Sequence, residues 1–135
     1  MKPPLKPTES ELEILQVLWQ SGPANVRLVN EQLSLKREVG YTTTLKWLQL
    51  MLEKGLVRRD ERVWPHVYAA AVLEEETQSQ LLDRFVESAF GGSALKLVLR
   101  ALGKNKNTRA ELDQIQALLT KINSTKAADN PDERA

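Results

Sequence analysis

The chain has 135 residues, 41% apolar and 27% charged, a globular composition with room for one ordinary domain or two very small ones around a modest core. It contains no cysteine and a single histidine, His66, which excludes disulfides and thiolate metal sites and leaves almost nothing from which to build a zinc site. Nineteen Lys and Arg against eighteen Asp and Glu give +1, a balance that by itself neither demands nor excludes a polyanionic partner.

Where the charges sit is more informative than their sum. Residues Lys36 to Arg62 hold seven bases against four acids, while Leu73 to Ala135 holds nine bases and ten acids, so the basic excess lies in one segment. No apolar run approaches the roughly 20 residues of a membrane span. The start Met1-Lys2-Pro3-Pro4 has no apolar stretch, so a cytoplasmic protein without membrane insertion is expected.

Residues 1–7 read as a disordered leader, after which Thr8 and Glu11 form a T-x-x-E capping box that opens a helix. Leu12, Ile14, Leu15, Leu18 and Trp19 give that helix its apolar face, and Ser21-Gly22-Pro23 ends it. Asn25 is the expected N-cap of a short second helix carrying Val26, Val29 and Leu33. After the break at Gly40, Thr42 is the expected N-cap of a third helix with Leu45, Leu48, Met51 and Leu52 inward, closing at Gly55.

Beyond Gly55 the period changes to that of strands. Leu56 to Arg59 and His66 to Ala69 read as a two-stranded hairpin around Asp60-Glu61-Arg62, with Pro65 at a strand start or edge. From Leu73 the pattern is helical again: Leu81, Leu82, Phe85, Val86, Ala89 and Phe90 up to Gly91-Gly92, then a short helix capped by Ser93 and ended by Gly103. Thr108 and Glu111 open a last helix with Leu112, Ile115, Leu119 and Ile122 at alternating three and four spacing, and the polar residues 123–135 read as a disordered tail.

The fold class expected is therefore mainly α. An N-terminal winged helix-turn-helix over residues 8–72, three helices plus a two-stranded β-hairpin wing, precedes a three-helix dimerisation region over residues 73–122. A helix that enters the major groove needs one face for the core and another with hydroxyls, amides and cations for bases and phosphates. Thr42, Thr43 and Lys46 are the candidate groove readers, and Arg58, Arg59 and Arg62 on the hairpin the candidate backbone contacts. Trp47 and Leu50 share the face of Thr43 and Lys46, where large apolar residues are unusual; groove edge and core packing both fit Trp47. A Thr run at a helix start is also a capping signal, and arginines on an exposed strand also discourage edge pairing.

The C-terminal stripes, with Leu82, Phe85, Phe90, Leu99, Leu112, Ile115 and Leu119, exceed what so few helices can bury, which points to a homodimer. No G-x-S-x-G, Walker A, G-x-G-x-x-G or H-E-x-x-H motif occurs, and no enzymatic activity or cofactor is expected.

These residues, in their order and spacing, resemble the bacterial penicillinase-repressor family of winged-helix repressors, the BlaI/MecI/CopY type. The resemblance spans roughly Pro7 to Ile122. It rests on Thr8-Glu9-Ser10-Glu11 with Ile14-Leu15 and Leu18-Trp19, on Tyr41-Thr42-Thr43-Thr44-Leu45 with Leu48, and on Glu53-Lys54-Gly55-Leu56-Val57-Arg58-Arg59 with Val67-Tyr68. It implies a homodimeric transcriptional repressor on an inverted-repeat operator in double-stranded DNA, with Thr42, Thr43 and Lys46 at groove-contact positions and the C-terminal helices dimerising. The family differs at Trp47, often polar or small in members, and at Leu50, often basic. Antibiotic-responsive members are released by a membrane-bound sensor metallopeptidase system that cuts an Asn-Phe bond, and here Arg100-Ala101 aligns with that bond. Copper-responsive members carry a cysteine-rich metal site that this chain cannot form. The alternative reading is a winged-helix protein-interaction module without operator binding.

Overall fold

The computed structural model describes residues 6–103 and 108–129. Its elements run α1 (Glu9–Ser21), β1 (Ala24–Asn25), α2 (Val26–Leu33), α3 (Tyr41–Lys54), β2 (Val57–Asp60), β3 (Val67–Ala70), α4 (Glu74–Phe90), α5 (Ala94–Leu102) and α6 (Arg109–Asp129). This is a winged helix followed by helices, in the order the periodicity predicts. The chain forms two compact units, one ending at Arg84 and the next beginning at Phe85, a division that falls within α4.

In the first unit the caps explain the helix starts. The Thr8 hydroxyl accepts the Glu11 N–H at 3.2 Å while the Glu11 carboxylate accepts the Thr8 N–H at 2.8 Å, so the capping box is complete. Asn25 caps α2 by accepting the Leu28 N–H at 2.9 Å. Helix α3 departs from expectation: its N-cap is Gly40, with no side-chain cap, and Thr42 lies one residue inside the helix. Helix α3 closes on Gly55 at φ 81°, a left-handed position that favours glycine, and the Leu56 N–H reaches back to the Met51 carbonyl at 2.9 Å.

Around these starts one core forms. Ile14, Leu15 and Leu18 of α1, Val26, Val29 and Leu33 of α2, and Leu48 and Met51 of α3 are buried with Leu56, Val57 and Tyr68. Trp19 packs against this core half-buried and donates its indole N–H to the Val72 carbonyl at 3.1 Å, tying α1 to the chain that leaves the sheet. At about 1.5–3 kcal/mol for each large side chain fully removed from water, this shared core fixes where α3 and the hairpin sit.

The sheet corrects the expected two-stranded hairpin. It has three antiparallel strands in the order β1-β3-β2, with Ala24 opposite Tyr68 and Arg59 opposite Tyr68 on the other side. The added strand is only two residues long, too short to show an alternation in sequence, and it forms because the chain between α1 and α2 runs beside β3. Both hairpin strands also begin one residue later than expected, at Val57 and Val67. Val63 and Trp64, strand formers by composition, instead lie exposed in the connection between β2 and β3.

Two end assignments change as well. Pro7, expected in a disordered leader, is buried, while residues 1–5 lie outside the described residues. Helix α6 continues to Asp129, beyond the expected end at Ile122, because Asn123 to Asp129 contains neither glycine nor proline to stop it. The rest of the expected tail, residues 130–135, lies outside the described residues.

In the second unit, Ser93 caps α5 by accepting the Lys96 N–H at 3.2 Å, and Phe85 and Phe90 meet edge to face with centroids 5.6 Å apart. Thr108 accepts the Glu111 N–H at 3.1 Å at the start of α6. Among the described residues no helix is long and apolar enough to cross a membrane.

Candidate nucleic-acid interface

Helix α3 has two faces of opposite character. Thr44, Leu48 and Met51 are fully buried, whereas Thr42, Thr43 and Lys46 are exposed, as are Gln49 and Leu50. The helical repeat alone produces this division, since Thr44, Leu48 and Met51 recur at four and three. The three expected groove readers are thus brought together on the outward side of the first two turns.

What fixes α3 against α2 is a polar cluster that sequence periodicity does not reveal. The Asn30 amide donates to the Val39 carbonyl at 2.8 Å and to the Thr44 hydroxyl at 3.0 Å, and that hydroxyl donates to the Gly40 carbonyl at 3.2 Å. Thr44 is wholly buried, so these bonds replace water that it has lost. A polar Asn on an otherwise apolar-facing helix, fourteen positions before the last Thr of a Thr run, is the faint signal available in sequence.

A second pairing sets α3 against α1. Glu11 is 2% exposed, and the Lys54 ammonium donates to both its carboxylate oxygens, at 2.8 and 2.9 Å. Burial raises the carboxyl's pKa, but the hydrogen bonds and charge of Lys54 together with the Thr8 N–H and hydroxyl outweigh it and hold the group below its ordinary value. Glu11 therefore serves two ends at once, the box of α1 and the closing turn of α3.

Trp47 has a definite place. Half-buried against the core, it receives the Arg37 guanidinium 5.6 Å from its ring centroid, and Arg37 also pairs with Glu13 at 2.7 Å. It belongs to packing between α3 and the residues that lead into it. Leu50 is 40% exposed.

The wing separates its three arginines. Arg58 is exposed on β2. Arg59 lies opposite Tyr68, its side chain 28% exposed and paired with Glu61; the Tyr68 hydroxyl first, and then Glu61, favour its charged form and push its pKa up. Arg62 is exposed but holds Asp60 through Nε at 3.0 Å and Nη2 at 3.1 Å, which raises the arginine's pKa and lowers the aspartate's. The alternation along β2 explains the difference, because Val57 and Arg59 face one way and Arg58 and Asp60 the other.

In the second unit Phe85, Leu99, Leu112 and Leu119 are 41–62% exposed within one chain, and Leu82, at the end of the first unit, is 49% exposed. Phe90 and Ile115 are partly covered, and Arg100 and Ala101 are exposed on α5. Among the described residues no three His, Asp or Glu side chains come together in a way that would hold a metal ion.

Three helices around one core, a wing at the edge and a polar outward face on the third helix define a winged helix-turn-helix protein. Residues 7–121 match the family described as penicillinase repressor. Similar proteins include the methicillin resistance regulatory protein MecI of Mammaliicoccus sciuri, 19% identical over 116 residues, covering 84% of this chain and 93% of that protein. The transcriptional regulator BlaI of Mycobacterium tuberculosis is 34% identical over 87 residues, 62% of each chain. An uncharacterized 16.5 kDa protein from the ptsI 3' region of Latilactobacillus sakei is 24% identical over 128 residues, 95% of this chain and 85% of that one. The chain belongs to the penicillinase-repressor family.

Proposed function

We propose that the chain is a transcriptional repressor that binds an inverted-repeat DNA operator as a homodimer. The observation that carries this reading is the outward side of α3, where Thr42, Thr43 and Lys46 are exposed while Thr44, Leu48 and Met51 anchor the opposite side. Hydroxyls and an ammonium on a rigidly held helix suit the donor and acceptor pattern of major-groove base edges. Arg58 supplies a cation for the flanking phosphates, and Arg59 and Arg62 do so by exchanging their carboxylate partners for phosphate oxygens. Relatives named as the transcriptional regulator BlaI and the methicillin resistance regulatory protein MecI support the repressor role.

The dimer is assigned to the C-terminal helices. Leu82, Phe85, Leu99, Leu112 and Leu119 are wet in the single chain, and Phe90 and Ile115 extend the same stripes. A two-fold partner covers such stripes and sets two α3 helices on the two halves of an inverted repeat. Release is assigned to a sensor metallopeptidase cutting within residues 97–102 of α5, where Arg100 and Ala101 are exposed.

A salt series tests DNA binding against the alternative of a protein-interaction module. Fluorescence anisotropy with duplex DNA is expected to show affinity falling steeply as salt rises, because bound phosphates release counterions. No binding to duplex at low salt favours the protein-interaction module.

A further inference from the structure

The wing ends in an aromatic group that the phosphate contacts leave unused. Trp64 is 84% exposed, the largest fraction among the large apolar side chains of the described residues. It is not a loose side chain, since its ring packs edge to face on His66 with centroids 4.9 Å apart. Trp64, Pro65 and His66 form one wall of a cleft of about 180 Å³ whose other walls include Tyr41 and Leu45 of α3 and Arg27 of α2. Thr42 and Thr43 follow Tyr41 directly, so a duplex lying along the start of α3 passes this cleft. Arg59 and Arg62, the cations nearest the wing tip in sequence, each hold a carboxylate, which leaves the indole as the group there with no polar partner to give up.

On the reading that the chain binds duplex DNA, we propose that Trp64 is a DNA-contacting residue, packing its indole against sugar and base edges of the minor groove beside the major groove that α3 occupies. Minor grooves accept apolar side chains because their walls are deoxyribose C–H groups and their floor is the base edges. The cleft fits DNA better than a protein partner because of what borders it. Tyr41, which lines it, is followed by the exposed Thr42 and Thr43, and Arg27, which also lines it, has a 3.3 Å pair with Glu31 that is exposed and therefore readily exchanged for a phosphate.

A neutral contact has its own signature. It displaces no counterion, so its loss lowers affinity equally at every salt concentration, whereas loss of a phosphate-binding arginine lowers the salt slope. Fluorescence supplies an independent readout: Trp19 and Trp47 are half-buried, so acrylamide quenching reports chiefly on Trp64.

The test uses the full chain and a duplex that it enriches from a randomised pool. Trp64→Ala is expected to weaken binding by about tenfold, within the range of aromatic contacts to bases, with the salt slope and the thermal unfolding temperature unchanged. Trp64→Phe is expected to recover most of the loss, and bound duplex to shield the wild-type chain from acrylamide. Wild-type affinity in Trp64→Ala with quenching unaffected by duplex, or a fall in its salt slope, overturns the inference while DNA binding stands. Failure of the full chain to enrich any duplex overturns the DNA-binding reading and this inference with it.

Discussion

Glu11 shows how much one side chain decides. Its carboxylate closes the box of α1 and holds Lys54 at 2.8 and 2.9 Å, with the acid buried and the lysine a quarter exposed. Exposed pairs contribute roughly 0–1 kcal/mol and breaking fully buried ones costs roughly 3–5, so Glu11→Ala is expected to destabilise the first unit by about 2 kcal/mol in denaturant unfolding. The folded carboxyl's pKa lies below its ordinary 4.5, so its stabilisation is fully present above that value and is lost as pH falls through the folded value. Stability of the wild-type chain should therefore fall below about pH 4.5, and less so in Glu11→Gln. The box was legible from Thr8 and Glu11 three apart. The Lys54 partner was not, because nothing local marks a residue that meets another only across the intervening helix α2 and at the far end of α3. At the proposed interface, Thr43→Ala or Lys46→Ala is expected to relax discrimination by about 1–3 kcal/mol at one base position per half-site. Arg58→Ala should instead weaken selected and random duplexes alike, and competition titrations separate the two outcomes.

Helices were the most legible elements, because a three-to-four apolar repeat survives any tertiary arrangement and α1, α2, α4 and α5 start where the pattern places them. The start of α3 lies two residues before the one its sequence suggests, since Thr42 has the chemistry of a cap and Gly40 does not; the chain turns at Gly40 because the Asn30 cluster holds the Val39 and Gly40 carbonyls. Strand β1 was invisible at two residues, and its pairing depends wholly on β3 lying alongside. The sequence suggests an end for α6 at Ile122, short of Asp129, because a polar helix surface resembles a tail once the apolar seam stops. The Asn30 cluster orients α3 as a whole. Removing its two donated bonds leaves the buried Thr44 hydroxyl and the Val39 carbonyl short of a partner. Asn30→Ala is expected to cost about 1–3 kcal/mol in denaturant unfolding and to weaken duplex binding beyond that of Thr43→Ala, through a helix no longer held in place.

For the whole molecule the question is what covers the second unit. Phe85 and Leu119 are each 52% exposed, and a carboxylate placed among such side chains in a dimer would be buried without a partner. Phe85→Asp or Ile115→Asp is therefore expected to give a monomer by sedimentation at micromolar concentration, where the wild-type chain is expected to sediment as the proposed dimer. Mass spectrometry of the chain from induced cells tests release: a fragment ending between Leu97 and Leu102 supports cleavage in α5, and an intact chain during full derepression contradicts it. A stoichiometric titration tests the proposed dimer and its operator together. A duplex carrying the selected inverted repeat is compared with one carrying a single half-site. Two chains are expected per inverted repeat, with an affinity orders of magnitude above that for the half-site, because the second α3 binds from within the same dimer. Equal affinity for the two duplexes, with one chain bound to each, would contradict it.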